Sequence, residues 1–142
     1  MDLHDTPVSE VMQSDFMHLS PDDGLDFVAE IMDLGRVRHF PVLSDGGLVG
    51  IVSQRDLLAA SLTRVLDFEG IHRRAFLSSV KVEAVMTRAV HTVPPEMSLA
   101  EAARLLDRHK IGCLVVVATG GAPVGLLTES DLLAHAYRPT AE

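Results

Sequence analysis

The chain has 142 residues, of which 47% are hydrophobic, and a formal net charge of −8 at pH 7. Its basic residues are scattered along the sequence, so the phosphate backbone of DNA or RNA would be repelled, which argues against nucleic-acid binding. The longest aliphatic runs, such as CLVVVA, are far shorter than the roughly 20 residues of a membrane-spanning helix, so no membrane partner is predicted.

Two copies of one sequence pattern make up most of the chain. A shift of 74 residues aligns the first parts of the copies, and one extra residue near Gly121 changes the shift to 75 for the remainder. Because the landmarks keep the same order in both halves, the pattern predicts two copies of one supersecondary unit. The aligned pairs include Val8 with Val82, Pro21 with Pro95, Gly50 with Gly125 and Asp56 with Asp131.

Each copy predicts the element order β-α-β-β-α. A short apolar strand, around Phe16–Leu19 or Val90–Val93, runs into a proline. A helix follows, in which apolar residues recur at spacings of three and four positions. A buried strand follows, RHFPVL or GCLVVV, then a Gly-Gly turn, a second strand, LVGIVS or PVGLLT, and another helix. A sheet this small must cover its open face, and the other copy is the obvious cover.

The segment between the copies predicts an ordered helical connector. Leu62, Val65 and Leu66 continue a helical stripe, and the segment contains one glycine and no proline. The sequence is therefore divided into a first repeat at residues 1–60, a connector at residues 61–81 and a second repeat at residues 82–142.

The second strand of each copy ends in a repeated motif, GIVSQRD at residues 50–56 and GLLTESD at residues 125–131. Its hydroxyl and carboxyl residues match a capping box, in which the hydroxyl accepts from a free backbone N–H and the carboxylate reaches back. The same groups suit a ligand: the helix N-terminus favours a phosphate, and a carboxylate can accept both hydroxyls of a ribose. The glycine permits close approach of a neighbouring group. The two interpretations are compatible, since a cap can also bind.

The doubled motif, each copy preceded by VM and by a strand that runs into a proline, together with the RHFPV strand of the first copy, resembles a pair of cystathionine-β-synthase (CBS) domains. The resemblance covers Val8–Ala60 and Val82–Ala136. It implies an α/β (α+β) fold of two tandem repeats, packed by pseudo-twofold symmetry through their small sheets. It also implies clefts for adenosine-containing ligands such as AMP, ADP, ATP, S-adenosylmethionine or NAD(H), and assembly of two pairs into a homodimer.

The resemblance assigns roles to residues of each copy. Asp56 and Asp131 would hold ribose hydroxyls, and Ser53 and Thr128 would meet phosphate. The remaining implied ligand-binding residues line the base or lie near the phosphate; they are His18, Leu19, Arg38, His39, Phe40, Pro41, Arg55, Thr92, Val93, Cys113, Leu114 and Ser130.

The two copies differ in charge at these positions. Residues 38–41 read RHFP in the first copy, where the second has GCLV at residues 112–115, and Arg55 corresponds to Ser130. We therefore expect an anionic nucleotide to prefer the cleft that receives Arg38, His39 and Arg55.

Other reactive residues do not form a recognisable catalytic or metal site in the sequence. The seven histidines lack zinc-ligand spacing, and Cys113 lies inside an aliphatic strand, which predicts a core thiol. Nothing assembles a nucleophile, a base and an oxyanion site. No catalytic residue, no metal and no required cofactor are predicted, so the protein is not expected to be an enzyme.

The prediction for function is a stand-alone, cytoplasmic regulatory module that binds an adenosyl ligand and signals to an unidentified client protein. The lone cysteine and an N-terminus without signal-peptide features indicate the cytoplasm. Because the chain ends at Glu142, we expect the output to act in trans, through a shift in inter-repeat angle. The alternative is a structural dimerisation module whose motif residues are only caps. The predicted dimer contacts are Leu57, Leu58, Leu62, Leu132, Leu133 and Ala136.

Overall fold

The structure is a computed structural model that describes residues 3–35, 37–62 and 75–137. Most of the predicted connector, residues 63–74, lies outside these ranges, and with it Val65 and Leu66 of the predicted stripe. Across the described ranges, no helix combines the length and the apolar character that crossing a lipid bilayer requires.

The elements follow the predicted order. A 3-10 turn at Val8–Glu10 precedes the helices and strands, and residues 75–78 are also helical. The first copy contains α1 (Leu25–Leu34), β1 (His39–Ser44), β2 (Gly47–Ser53) and α2 (Gln54–Leu62). The second contains α3 (Val82–Val85), β3 (Thr92–Val93), α4 (Leu99–His109), β4 (Cys113–Val117), β5 (Pro123–Thr128) and α5 (Glu129–Tyr137).

The predicted mixed fold with small sheets is confirmed. Strands β1 and β2 form an antiparallel hairpin, and β3, β4 and β5 form a sheet in that order, with β3 parallel to β4. The Gly-Gly turns are confirmed as well: Gly46, Gly120 and Gly121 have positive φ angles of 81°, 100° and 92°. Residues with a side chain rarely adopt this backbone conformation, which accounts for the glycines in the turns.

The first predicted strand of each copy is shorter than expected, and in the first copy it is reduced to one bridge. Leu19 bridges Val42, whereas the second copy retains β3, whose ladder includes a bond from Val115 N–H to His91 O. The position equivalent to Val115 is Pro41, which has no N–H to donate. The ladder therefore cannot extend towards Phe16.

The contacts divide the chain into two compact units that do not follow the repeat boundaries of the sequence. The Asp56 unit comprises Met17–Ala89, and the Asp131 unit comprises Met1–Phe16 with Val90–Glu142. The residues that open each repeat, which we call the lead segments (residues 8–13 and 82–87), therefore belong to the unit built mainly from the other repeat. Repeats 1–60 and 82–142 remain a division of the sequence alone.

Backbone hydrogen bonds attach each lead segment to its unit. In the Asp131 unit, Gln13 exchanges bonds of 2.8 and 2.9 Å with Leu126 of β5. In the Asp56 unit, Thr87 makes the equivalent exchange with Ile51 of β2, at 2.8 and 2.9 Å. Each lead segment thus lies beside the strand that carries the repeated motif.

Each unit has its own hydrophobic core. The strands contribute runs of buried residues, three in succession in β1 and four in β4, and the helices add an apolar stripe, as the sequence predicts. In the Asp56 unit the fully buried members are Leu19, Leu25, Val28, Phe40, Val42, Val52 and Val82. In the Asp131 unit they are Val8, Leu99, Ala102, Leu114, Val116 and Leu127.

Candidate functional site

The repeated motif forms a capping box at the start of α2. The Ser53 N–H donates to Oδ2 of Asp56 at 2.8 Å, and the Asp56 N–H donates to Oγ of Ser53 at 3.2 Å. The Ser53 hydroxyl also donates to Oδ2 of Asp56 at 3.1 Å. These reciprocal bonds satisfy backbone donors that a helix N-terminus otherwise leaves unpaired.

The start of α5 has the same geometry. The Thr128 N–H donates to Oδ2 of Asp131 at 2.9 Å, and the Asp131 N–H donates to Oγ1 of Thr128 at 3.1 Å. The capping interpretation is thus confirmed in both units. It fixes the two carboxylates in equivalent orientations, one turn into their helices.

A further amide of each helix start is used inside the protein. The Gln54 N–H donates to the carbonyl of Arg38 at 2.9 Å, and the Glu129 N–H donates to the carbonyl of Gly112 at 3.1 Å. These bonds bring the residue before β1 or β4 next to the helix start. They also reduce the number of N–H groups available to a phosphate there.

Two residues that the sequence patterns did not predict contact the motif carboxylates. The Gln13 side-chain amide donates to both oxygens of Asp131, at 3.0 and 3.1 Å from Nε2. At the equivalent position, the Thr87 hydroxyl donates to Oδ1 of Asp56 at 3.4 Å. The available signal was a polar residue directly after VM in both copies, but its contact with the carboxylate depends on the exchange of lead segments.

The motif glycines make room for the lead segments. A Cβ on Gly50 would lie 2.5 Å from Sδ of Met86 and 3.1 Å from the carbonyl oxygen of Thr87. A Cβ on Gly125 would meet the sulfur of Met12 and lie 3.2 Å from the carbonyl oxygen of Gln13. The close approach expected at these glycines is therefore made by the protein's own chain.

The predicted cationic residues of the first copy lie around the start of α2. His39 pairs with Ser53 across the hairpin, Arg38 directly precedes β1, and Arg55 is exposed in the first turn of α2. At the equivalent positions of the Asp131 unit, Cys113 pairs with Thr128, and Ser130 is exposed.

The residues predicted to line the base divide into exposed and buried positions. His18 and Thr92 are exposed, whereas Leu19 and Val93 lie in the cores. The backbone of Leu19 is also engaged: its N–H donates to Pro41 O and its carbonyl accepts from Leu43 N–H, both at 2.9 Å. The other predicted ligand-binding residues with buried side chains are Phe40, Pro41, Cys113 and Leu114.

Comparison with known proteins identifies the family. The CBS domain family matches residues 8–63 and 82–138, which include both motifs and both lead segments. The chain belongs to the CBS domain family. An uncharacterized protein of Methanocaldococcus jannaschii is 34% identical over 116 residues, which are 81% of this chain and 25% of that protein. Two other curated relatives, from Thermofilum pendens and Korarchaeum cryptofilum, are also longer, with 44% and 24% of their lengths covered.

Solved structures of CBS proteins are similar along nearly the whole chain. A Vibrio cholerae protein named for acetoin utilization (AcuB) has 34% identity and a TM-score of 0.76, with 92% of this chain and 89% of that chain covered. The CBSX2 protein, crystallised in complex with AMP, has 27% identity and a TM-score of 0.75, with 92% and 96% covered. The predicted tandem CBS repeats are thus confirmed.

A shallow pocket of about 120 Å³ adjoins the motif carboxylate of the second CBS repeat. Its lining consists of Glu10, Val11, Asp131, Ala134 and His135. Nε2 of His135 is buried and has no hydrogen-bond partner within the described ranges. Pockets for drug-sized ligands span roughly 300–1,000 Å³, so this one has room for a few water molecules rather than a nucleotide.

The single cysteine of this CBS protein is a core thiol, as predicted. Burial, and secondarily the negative charge of Asp131, raise the pKa of the Cys113 thiol to about 12. The nucleophilic thiolate is therefore scarce at neutral pH. Within residues 3–35, 37–62 and 75–137, no three histidine, cysteine or acidic side chains are arranged to hold a metal ion.

Proposed function

We propose that the protein is a regulatory module that binds an adenine nucleotide or another adenosyl ligand beside its motif carboxylates. The observation that carries the proposal is the fixed position of Asp56 and Asp131 at the starts of α2 and α5. A carboxylate held by one oxygen to a helix cap can present its other oxygen to the two hydroxyls of a ribose. The similarity to CBSX2, crystallised with AMP, supports this ligand class.

The Asp56 unit is the better candidate for an anionic nucleotide. Arg38, His39 and Arg55 lie around the start of α2 and would attract a phosphate, whereas the Asp131 unit has Gly112, Cys113 and Ser130 at the equivalent positions. A phosphate contact by Ser53 would require its hydroxyl to turn away from Asp56, to which it donates.

The burial of several predicted residues limits their part in the proposal. Leu19, Phe40, Pro41, Val93, Cys113 and Leu114 have buried side chains. The backbone N–H and carbonyl of Leu19 are already bonded, so we retain only the other five for backbone contacts. We assign the side-chain contacts with the base to His18 and Thr92, which are exposed.

Ligand titration of Asp56→Asn tests the proposed site. The panel consists of AMP, ADP, ATP, S-adenosylmethionine and NADH, measured by thermal shift and calorimetry. We expect at least one to bind, and we expect Asp56→Asn to weaken an anionic nucleotide by roughly 10–100-fold, because hydrogen bonds to a charged acceptor are lost. The matched variant Asp131→Asn should weaken nucleotide binding less than Asp56→Asn does.

The control for surface charge is Asp22→Asn, which removes an exposed carboxylate paired with Lys81 at 3.4 Å. Its affinity should equal that of the parent protein. Equal losses in Asp56→Asn and Asp131→Asn would contradict the preference for the Asp56 unit. Absence of binding by every member of the panel would contradict the function itself.

The complete capping boxes favour a second candidate function, a structural interaction module without a small-molecule ligand. The hydroxyl and carboxyl residues of both motifs already act as caps, so the motif by itself does not require a ligand. The same ligand panel distinguishes the two functions. If the protein is a structural interaction module, no compound of the panel should shift its thermal unfolding.

We also propose a homodimer that passes its signal to a client protein. Leu58 and Leu133 are 53% and 58% exposed at equivalent positions of α2 and α5, and exposed apolar side chains of this kind suit an interface. Leu57 is only 6% exposed and serves the core. We expect sedimentation equilibrium at micromolar concentration to give the dimer mass; a monomer would contradict the proposal.

The proposed module is a binding protein and not an enzyme, and the proposed compartment is the cytoplasm. The buried Cys113 has a raised pKa, which makes it a poor nucleophile. A free, buried thiol also suits a reducing compartment.

A further inference from the structure

The two motif carboxylates differ in how much of their hydrogen-bonding capacity the protein itself uses. Gln13 donates to both oxygens of Asp131, at 3.0 and 3.1 Å. At Asp56 the equivalent donor is the Thr87 hydroxyl, which reaches one oxygen at 3.4 Å. The comparison is between equivalent positions, because both donors directly follow VM and both exchange backbone bonds with the motif strand.

The two carboxylates differ in the bonds that Oδ1 accepts, and Oδ1 is the oxygen that a ligand would use. In both units Oδ2 accepts a backbone N–H of the cap, at 2.8 Å for Asp56 and 2.9 Å for Asp131. Oδ1 is the oxygen that these cap bonds do not use. Oδ1 of Asp131 receives a bond of ordinary length, 3.0 Å, from an amide, whereas Oδ1 of Asp56 receives a bond of 3.4 Å, near the upper limit of hydrogen-bond length.

A pair of ribose hydroxyls needs two acceptor positions on a carboxylate. At Asp131 the incoming hydroxyls must displace the Gln13 amide or share its oxygens. A bond from an amide to an ionised carboxylate is stronger than one between neutral groups, so its loss opposes binding. At Asp56 the ligand displaces only the long contact with Thr87, which opposes binding less.

We propose that Gln13 is an internal competitor that partly closes the Asp131 site, so that a ribose-bearing ligand fills the Asp56 site first. This inference rests on the proposed function, since it assumes that the carboxylates bind a ribose diol. It is independent of the cationic residues, because it concerns the diol and not the phosphate. It also connects the second site to a lead segment, because a ligand that binds Asp131 must displace Gln13 or share the oxygens that Gln13 uses.

Exchange of the two residues tests the inference. Gln13→Thr gives the Asp131 unit the side chain of the Asp56 unit, and Thr87→Gln does the reverse. Each site is isolated by calorimetry in a protein whose other carboxylate is replaced, Asp56→Asn or Asp131→Asn. The probes are AMP and ATP, with their 2′,3′-dideoxy forms as ligands that lack the diol.

We expect Gln13→Thr to tighten AMP or ATP binding at Asp131 roughly tenfold, the size of one charge-assisted hydrogen bond. Thr87→Gln should weaken binding at Asp56 by a similar factor. The dideoxy probes should not respond to either exchange. Thermal unfolding without ligand checks that each variant remains folded.

Weaker or unchanged AMP and ATP binding in Gln13→Thr would overturn the inference, and weaker binding would make Gln13 a ligand contact. An equal response of the dideoxy probes would also overturn it, because the effect would then not depend on the diol. In each of these outcomes the nucleotides still bind and the proposed function stands. Failure of both nucleotides to bind the parent protein would remove the proposed ribose site and the inference together.

Discussion

Replacing Phe40 with alanine is expected to lower the free energy of unfolding by about 3–5 kcal/mol. Phe40 lies in β1 with no exposed surface, and it belongs to the core cluster that also contains Leu19, Val42 and Val52. Truncation removes most of a buried aromatic side chain and leaves a cavity that neighbours from β2 and α1 can fill only in part.

The matched control is Phe27→Ala, since Phe27 is 47% exposed on α1. The same chemical change there should cost about 1 kcal/mol or less, because the side chain is already half in water. Urea denaturation followed by circular dichroism measures both variants. Equal losses in the two variants would show that Phe40 does not hold the core of the Asp56 unit.

Replacing Gly50 with valine is expected to destabilise the protein by about 3 kcal/mol, the upper end of the usual range for overpacking. The first added carbon would lie 2.5 Å from the sulfur of Met86 and 3.1 Å from the carbonyl oxygen of Thr87. Met86 is 9% exposed and can move only at the expense of its packing, and the carbonyl belongs to backbone paired with Ile51. The lead segment must therefore shift away from β2.

The matched control for this change is Gly47→Val, at the start of the same strand. A Cβ on Gly47 would be in ordinary contact, 3.5 Å from Ser44 O, so the free energy of unfolding should change little. In a Met86→Ala background, Gly50→Val should cost less stability than it does in the parent protein, because the sulfur is removed. If chemical denaturation gave the same stability for Gly47→Val and Gly50→Val, steric conflict with the lead segment would be refuted.

The predictable part of the fold comes from local patterns. Two apolar runs joined by a Gly-Gly turn predict the hairpin of β1 with β2, and apolar spacing predicts the amphipathic helix α4. Ser53 with Asp56 predicts a cap that the distances confirm. These features depend on residues close in sequence, for which the propensities are strong. The same order of landmark residues in both copies also indicated the CBS family.

The exchange of lead segments was not predictable from the repeat. The repeat alignment shows that Gln13 and Thr87 are equivalent positions. The same alignment would result whether each residue contacted its own repeat or the other repeat. Only the three-dimensional contacts decide between them, and the bonds of Gln13 to Leu126 and Asp131 do so. The polar donors at the carboxylates were missed for the same reason.

The short first strand was within reach of sequence reasoning. Pro41 stands where the second copy has Val115, and a residue without an N–H cannot continue a ladder. The pairing register of the strands was needed to see that Pro41 stands where a backbone N–H would continue the ladder. Phe40 and Leu114 lie in apolar runs that predict buried strands, and this burial opposes the ligand-binding roles that the family resemblance implied for their side chains.

The exchanged lead segments make each compact unit depend on residues from both copies of the duplicated pattern. In a polypeptide with one copy alone, the lead segment would have no motif strand of the other copy to bind. The side of β2 or β5 next to the motif glycine would then stay uncovered. Such a fragment could complete itself only by borrowing a lead segment from a second molecule. Gene fission of this protein would therefore yield two intertwined halves that fold together, not two independent ones.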